Sequence, residues 1–300
     1  KKGFPKFKSK RSCDNSFTLE SYDSGATYFR IIDSKLLIAK LAKPIKVIWH
    51  RQLPPKPTKV TISRDKCGDY WASFLCEAPI NPTNGQKSVG IDLGVKTFAT
   101  FSDEREIASP KHFINAQQKL ARLQRQHARK QKGSKNREEA RLKAAKLHRK
   151  IARQREHFLH TLTRRLVNEN QVITIEDLNV KGMGSLRSLS KHIADGSFAK
   201  FRQYLGYKVR ESQHATLIVA SRWYPSTKQC SNCFEKPKQE ISLKTRGWRC
   251  FHCGAIHRRD LNAAKNLDAY GRKFFEEDMR GKIILAKAVD LKCYPDIGGI

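Results

Sequence analysis

Four of the chain's eight cysteines fall in two C-x-x-C pairs, Cys230-Ser231-Asn232-Cys233 and Cys250-Phe251-His252-Cys253, with 16 residues between them. Few other features constrain a fold so tightly. Each pair makes a knuckle offering two thiolates, and two knuckles close a four-sulfur shell around zinc. Such a shell leaves no position for water, so the site is structural rather than catalytic. The alternative is four buried free thiols. Gly254 follows the second knuckle as its turn requires, whereas Phe234 stands where the first would have glycine, straining the turn without removing a ligand. His252 and His257 lie nearby and read as surface or fold residues. Cys13, Cys67, Cys76 and Cys293 are scattered. With no secretory signal, a reducing, cytoplasmic setting and a metal site fit better than disulfides.

Charge sets the class of partner. Lys and Arg number 60 against 28 Asp and Glu in 300 residues, a formal net charge of +32. An excess of that size calls for a polyanion, and nucleic acid comes first because its binding scales with phosphate contacts. A membrane surface is the competing reading, but no basic segment adjoins a long apolar span. The most apolar run, Ile283 to Val289, is broken by Lys287 and is too short to cross a bilayer. The first ten residues hold five lysines and no apolar stretch, unlike a signal peptide. Lys1 is not a natural start residue, so the chain is expected to be N-terminally incomplete.

Residues 1 to about 86 are β-rich, with strands expected at Ser16–Tyr22, Thr27–Ile32, Lys46–Trp49, Thr58–Arg64 and Tyr70–Ala78. Asp65-Lys66-Cys67-Gly68-Asp69 supplies a turn between the last two, and the whole reads as a small antiparallel sheet or partial barrel. The opening KKGFPKFKSKR interleaves Phe4 and Phe7 with lysines, the composition of a nucleic-acid arm or of a solvated tail. Asn81-Pro82-Thr83-Asn84-Gly85 is a linker. From about Pro110 to Asn170 the pattern is helical, broken at 132–136, which predicts two long helices in a hairpin. Ile151, Phe158, Leu162 and Leu166 make its apolar stripe. Between Lys119 and Arg165 there are 17 basic residues and three acids, too one-sided for a face stabilised by i,i+4 pairs, so it is expected to face a phosphate backbone. Gln171–Ile175 is a buried strand, Lys181–Asp195 a Gly- and Ser-rich mobile loop, Ser197–His214 a helix and Thr216–Ser221 a strand.

Three acids stand out by context. Asp92 sits on a hairpin, SVGIDLGVKTFATFSD, with Gly90 and Gly94 beside it. Glu176 ends the buried strand, where α/β folds expose functional side chains at the sheet rim. Asp260 opens a helix, as an N-cap or a first-turn acid. Each taken singly reads as a satisfied strand acid or a helix cap. Three carboxylates brought together in so basic a protein repel one another unless cations neutralise them. Two divalent ions about 3.5–4 Å apart would then activate water and stabilise the leaving oxygen of a phosphodiester. Oxygen ligands favour Mg²⁺ or Mn²⁺ over zinc.

GIDLGVKTFAT, then TIEDLNVKGM, then CSNC…CFHC followed by HRRDLNAAKN, resembles in order and spacing the RuvC-type nucleases of the TnpB (OrfB-type, transposon-encoded) family, the apparent ancestors of type V CRISPR effectors. GFPKFKSKR…SFTL is similar to that family's wedge domain, and the likeness runs to about residue 270. The resemblance implies an α/β RNase H-like (RuvC) nuclease with an inserted zinc ribbon and helical hairpin, behind a β-rich wedge. It divides the chain into 1–86 (wedge-like), 87–222 (nuclease, with the hairpin at 111–170), 223–257 (zinc ribbon), 258–285 (the last nuclease part) and a tail, 286–300. It implies RNA-guided cleavage of DNA, with guide RNA from the transposon end and DNA as partners and no membrane. Asp92, Glu176 and Asp260 would bind Mg²⁺ or Mn²⁺, and Cys230, Cys233, Cys250 and Cys253 would bind Zn²⁺. The family's upstream wedge strand and helical recognition domain have no counterpart in these residues. DNA strand transfer by the same acids and a nucleic-acid-binding remnant without catalysis are the competing functions. Actin-like ATPases and sugar kinases share a D-L-G hairpin, but the cysteine pairs and the charge fit them poorly.

Overall fold

The computed structural model describes residues 15–20, 28–54, 56–77, 85–185, 189–212, 214–238, 241 and 245–279. The basic arm with Phe4 and Phe7, Cys13, most of the Asn81–Gly85 linker, the Ile283–Val289 run, Cys293 and the 286–300 tail lie outside them. The chain divides into two compact units, one drawn from Lys1–Pro79 and Arg122–His148, the other from Ile80–Ala121 and Arg149–Ile300.

The first unit holds β1 (Ser16–Glu20), β2 (Phe29–Ile32), β3 (Lys35–Ile38), β4 (Ile45–Lys46), β5 (Lys59–Arg64) and β6 (Tyr70–Leu75). They form two three-stranded antiparallel sheets, β1-β5-β6 and β2-β3-β4, rather than a single sheet. Val60 pairs with Leu19 on one side and Phe74 on the other, and packs with Phe29, Leu36 and Ile38 into one core. The β5–β6 turn is tied by Asp65, whose Oδ1 accepts from the backbone N–H of Cys67 and Asp69 while Gly68 takes φ +89°.

The hairpin helices are α1 (His112–Ala128) and α2 (Lys135–Glu169), and their tips belong to the first unit. Between them Gly133 turns at φ +84° and Ser134 Oγ accepts from the Arg137 N–H, starting α2. Arg122, Arg125, Arg129, Lys130, Lys143 and Lys146 are all exposed there.

The second unit is built on a five-stranded sheet of β7 (Lys87–Leu93), β8 (Thr97–Phe101), β9 (Glu106–Ala108), β10 (Asn170–Glu176) and β11 (Thr216–Ala220), in the order β11-β10-β7-β8-β9. β8 runs antiparallel to both its neighbours, and β7, β10 and β11 run parallel. After β10 come α3 (Val180–Gly184), α4 (Ser190–Gly196) and α5 (Phe198–Ser212). The stretch 181–195, expected as a mobile loop, is therefore helical at both ends. One local and one tertiary tie account for this: Asn179 caps α3, its Oδ1 accepting from the Gly182 N–H, and α4 buries Ile193 and Asp195. The Asp195 carboxylate accepts from the N–H groups of Phe113 and Ile114 at the start of α1 and from Arg155 Nε at 2.9 Å. The ribbon strands β12 (Gly247–Arg249) and β13 (Ile256–Arg258) lead into α6 (Arg259–Met279).

The two faces of the sheet differ. One packs Val89, Ile91, Phe98, Ile173 and Ile175 against Leu159, Leu166, Phe201 and Leu205 of α2 and α5. Against the other lies α6, so close that a Cβ at Gly90 would run into the backbone of Ala264 and Asp268. Gly90→Ala is accordingly expected to cost about 3 kcal/mol, the upper range for overpacking, read as a lowered denaturation midpoint at unchanged m-value.

Candidate active site and cysteine cluster

Strand alternation aims the acids. Val89 and Ile91 face the core, so Gly90 and Asp92 face α6. One strand over, Ile173 and Ile175 face the core, so Thr174 and Glu176 share the α6 side. The parallel register pairs Gly90 with Thr174 and Ile91 with Ile175. Asp92 and Glu176 are therefore the next residues along adjacent strands, their backbones about 4.8 Å apart. The third acid comes from α6, where Asp260 stands one turn, about 5.4 Å, before the Ala264 that covers Gly90. Two strand residues from Gly90 to Asp92 advance about 6.6 Å, which carries helix and strand acids to the same rim.

Electrostatics record this convergence. Burial pushes the Asp92 carboxyl up to about 8, helped by the negative charges of Glu176 and Asp260 and opposed by the Arg259 guanidinium. Glu176 Oε1 accepts a hydrogen bond from Ser226 Oγ. Asp260 is a first-turn acid of α6: its Oδ1 takes Arg259 Nε and Nη2 at 2.9 and 2.7 Å, and Oδ2 lies 3.7 Å from Arg246 Nη1. Beside Glu176, Asp177 is held by Arg202 at 2.6 Å and Arg222 at 3.1 Å. The sequence pattern offered no sign of Ser226. Arg259 was visible only as the neighbour of Asp260 in HRRD.

The four cysteines form a closed group, their sulfurs all within 4.8 Å of one another, and among the described residues Asp92, Glu176 and Asp260 do not close into a second such group. Cys230–Cys253 and Cys233–Cys250 are each 3.7 Å apart. A tetrahedron with metal–sulfur bonds of about 2.3 Å has edges of about 3.8 Å, so the group has the size of a tetrathiolate metal site. Both knuckles use the same turn: Phe234 N–H donates to Cys230 O at 2.9 Å, and Gly254 N–H to Cys250 O at 3.0 Å. Both turn residues are left-handed, Gly254 at φ +73° and Phe234 at φ +61°. The Phe234 substitution has thus kept the turn rather than altered it. His257 Nε2 lies 3.0 Å from Cys230 Sγ, in position to donate to a thiolate there.

Comparison with known proteins follows the same two blocks. A family model described as "Probable transposase" matches residues 72–187, which include Asp92 and Glu176. One described as "Cas12f1-like, TNB domain" matches residues 198–267, which include the four cysteines and Asp260. A protein of Streptomyces pristinaespiralis named "Putative RNA-guided DNA endonuclease" is 39% identical over 271 residues, covering 89% of this chain and 65% of its own. A "TnpB-like protein" of Acanthamoeba polyphaga mimivirus is 31% identical over 205 residues, covering 63% of this chain and 38% of its own. "Putative RNA-guided DNA endonuclease InsQ" of Escherichia coli K12 is 30% identical over 287 residues, covering 89% of this chain and 68% of its own. The chain belongs to the TnpB family. Within that family it spans about two thirds or less of the curated relatives it matches. A solved Cas12f1–sgRNA–target DNA complex shares the TnpB/Cas12-like fold at TM-score 0.50 and 17% identity, over 71% of this chain and 45% of that one. Among the described residues of this TnpB-family chain, no helix is long and apolar enough to cross a membrane.

Proposed function

We propose that this chain carries the nuclease of an RNA-guided, metal-dependent DNA endonuclease of a mobile element, and that Asp92, Glu176 and Asp260 are its metal-binding acids. The single observation that carries the reading is the placing of Asp92 and Glu176 on one face of adjacent parallel strands, under the α6 turn that bears Asp260. Numbered by sequence within the sheet, the strand order is 3-2-1-4-5 with the second strand antiparallel, an RNase H-like arrangement. Residues 1–86 then correspond to the wedge, 87–222 and 258–285 to the nuclease with its hairpin at 111–170, 223–257 to a zinc ribbon and 286–300 to a tail.

The residues fit the ions they would hold. Three carboxylates are hard oxygen donors suited to Mg²⁺ or Mn²⁺, and a bound divalent ion supplies charge neutralisation and water activation at the scissile phosphate. Asp92 and Glu176 from the sheet and Asp260 from α6 would hold the cation, and Arg259 would limit the negative charge they share. The cysteine group fits Zn²⁺ in number, ligand type and size. Phe234 keeps a left-handed turn at a cost of about 1 kcal/mol while remaining 53% exposed. Phe234→Gly is expected to slow zinc loss to a chelator several-fold.

DNA and guide RNA are the partners that the charge and the relatives' names support, and action on DNA would place the protein in the cytoplasm, with the nucleoid in a prokaryote. The hairpin tips are the proposed contact with phosphates. Replacing Arg125, Arg129, Lys143 and Lys146 together by alanine is expected to flatten the slope of log affinity against log salt by up to about 3.6. Fluorescence anisotropy with a labelled duplex across a salt series measures it. The direct test of activity is incubation of the chain, carried within a protein of its relatives' full length, with the element's right-end RNA, Mg²⁺ and a matching duplex. Cleavage lost in Asp92→Ala supports the reading, and an intact duplex with active-length protein refutes it. The "Probable transposase" description of the matched family favours strand transfer as the second reading, which would leave joined rather than only hydrolysed ends.

A further inference from the structure

We infer that Ser226 is a positioning residue for Glu176, and that the segment from Tyr224 to Ser231 makes the carboxylate's setting depend on the folded cysteine ribbon. This rests on the acid centre proposed above. Ser226 is 3% exposed, and its Oγ is aimed at Glu176 Oε1. A buried hydroxyl spent on a partly buried carboxylate fixes one rotamer of that side chain. Ser226 is itself held from behind, its carbonyl accepting from Asn266 Nδ2 at 2.6 Å.

The same asparagine donates to Gln229 O at 2.8 Å, and Asn262 Nδ2 donates to that carbonyl at 2.7 Å. Asn262 Oδ1 accepts from the Ser231 N–H at 2.9 Å, one residue past the ligand-type Cys230. Tyr224 Oη closes the other end on Asn266 O at 3.1 Å. Asn262 and Asn266 are one turn apart on α6 and are 1% and 0% exposed. The path from the first knuckle to Glu176 is thus an unbroken series of buried and part-buried hydrogen bonds, laid along the helix that carries Asp260. Without a folded knuckle, Ser231 and Gln229 have nothing to hold them against Asn262, and Ser226 loses its backing. The ribbon is then part of the site's geometry as well as an independent small fold.

The test uses the full chain with zinc retained, and reads Mn²⁺ binding through the loss of the free-ion paramagnetic resonance signal. Ser226→Ala removes one atom and adds none. It is expected to weaken Mn²⁺ binding about 10-fold with little change in melting temperature, and Ser226→Thr, which keeps the hydroxyl, to recover it. Cys253→Ser, which opens the ribbon, is expected to weaken Mn²⁺ binding as well, and the double variant to be no worse than the poorer single one. Wild-type affinity in Ser226→Ala overturns the positioning role, and additive effects in the double variant overturn the link to the ribbon. Asp92→Asn run in parallel separates the two levels. If it binds Mn²⁺ as tightly as the wild type, the acid centre itself is wrong and the inference goes with it.

Discussion

Asp92→Asn is expected to raise the stability of the metal-free protein, with a gain that grows with pH, and on the proposed function to abolish cleavage. The Asp92 carboxyl is held near 8 by burial and by the charges of Glu176 and Asp260, against an ordinary value of 3.8. The folded state therefore retains a proton that the unfolded chain has given up. Below pH 4 both states are protonated, and the Asn variant gains little. Between about 4 and 8 the unfolded state is progressively favoured by ionisation, so wild-type stability falls as pH rises, and above 8 the loss is complete. Asparagine has no charge to bury and escapes this cost, an advantage on the order of 2 kcal/mol or more at pH 8. Thermal melts in chelator from pH 4 to 9 measure it. Melting curves of the two proteins that stay parallel across that range would show that Asp92 is not held in a field of like charges. Mg²⁺ or Mn²⁺ should raise the wild-type melting temperature and leave the variant's unchanged.

Removing zinc is expected to have the larger effect. Among the described residues the ribbon core is small, made of Cys230, Ile241, Trp248 and Cys250, with Cys233 packed beside it. So few apolar residues cannot hold two knuckles and a two-stranded sheet without a cross-link. Structural zinc contributes on the order of 10 kcal/mol or more in small ribbons and fingers, so stripping it should unfold this one outright. Elemental analysis should find one zinc per chain and none in Cys250→Ser. Limited proteolysis should cut the stripped protein between 223 and 258 while the five-stranded sheet resists. A stripped protein whose ribbon remains protected would mean that packing alone holds the cysteines together.

The sequence made some of this legible and hid the rest for identifiable reasons. The Asp92 hairpin, the buried strand ending at Glu176 and the two long helices follow from local alternation and periodicity, and α6 begins where HRRD suggested. β3 and β9 escaped notice because strands of four and three residues carry too little pattern to stand out. α3 was hidden because it is a five-residue helix resting on a local Asn179 cap, and α4 because its helicity is supported from outside. Gly182, Gly184 and Gly196 speak for a loop, yet Asp195 is drawn into the interior by two backbone N–H groups of α1 and by Arg155. Gly90 was legible as an absence of side chain beside an acid; that it admits a whole helix was not. Ser226 lay beyond reach altogether, since a serine in a turn announces nothing until the carboxylate it serves has been folded alongside.

The parallel pairing of β7 with β10 has a consequence for synthesis. The three acids are encoded at positions 92, 176 and 260, 84 residues apart each time. The first two can meet only after the intervening helical hairpin has been made, and the third only after the knuckles have passed. A polypeptide halted before α6 leaves the ribosome with two carboxylates and nothing opposite them. On the proposed function, the order in which the message is read acts as a safety catch, withholding a complete centre until nearly the whole fold is available to govern it.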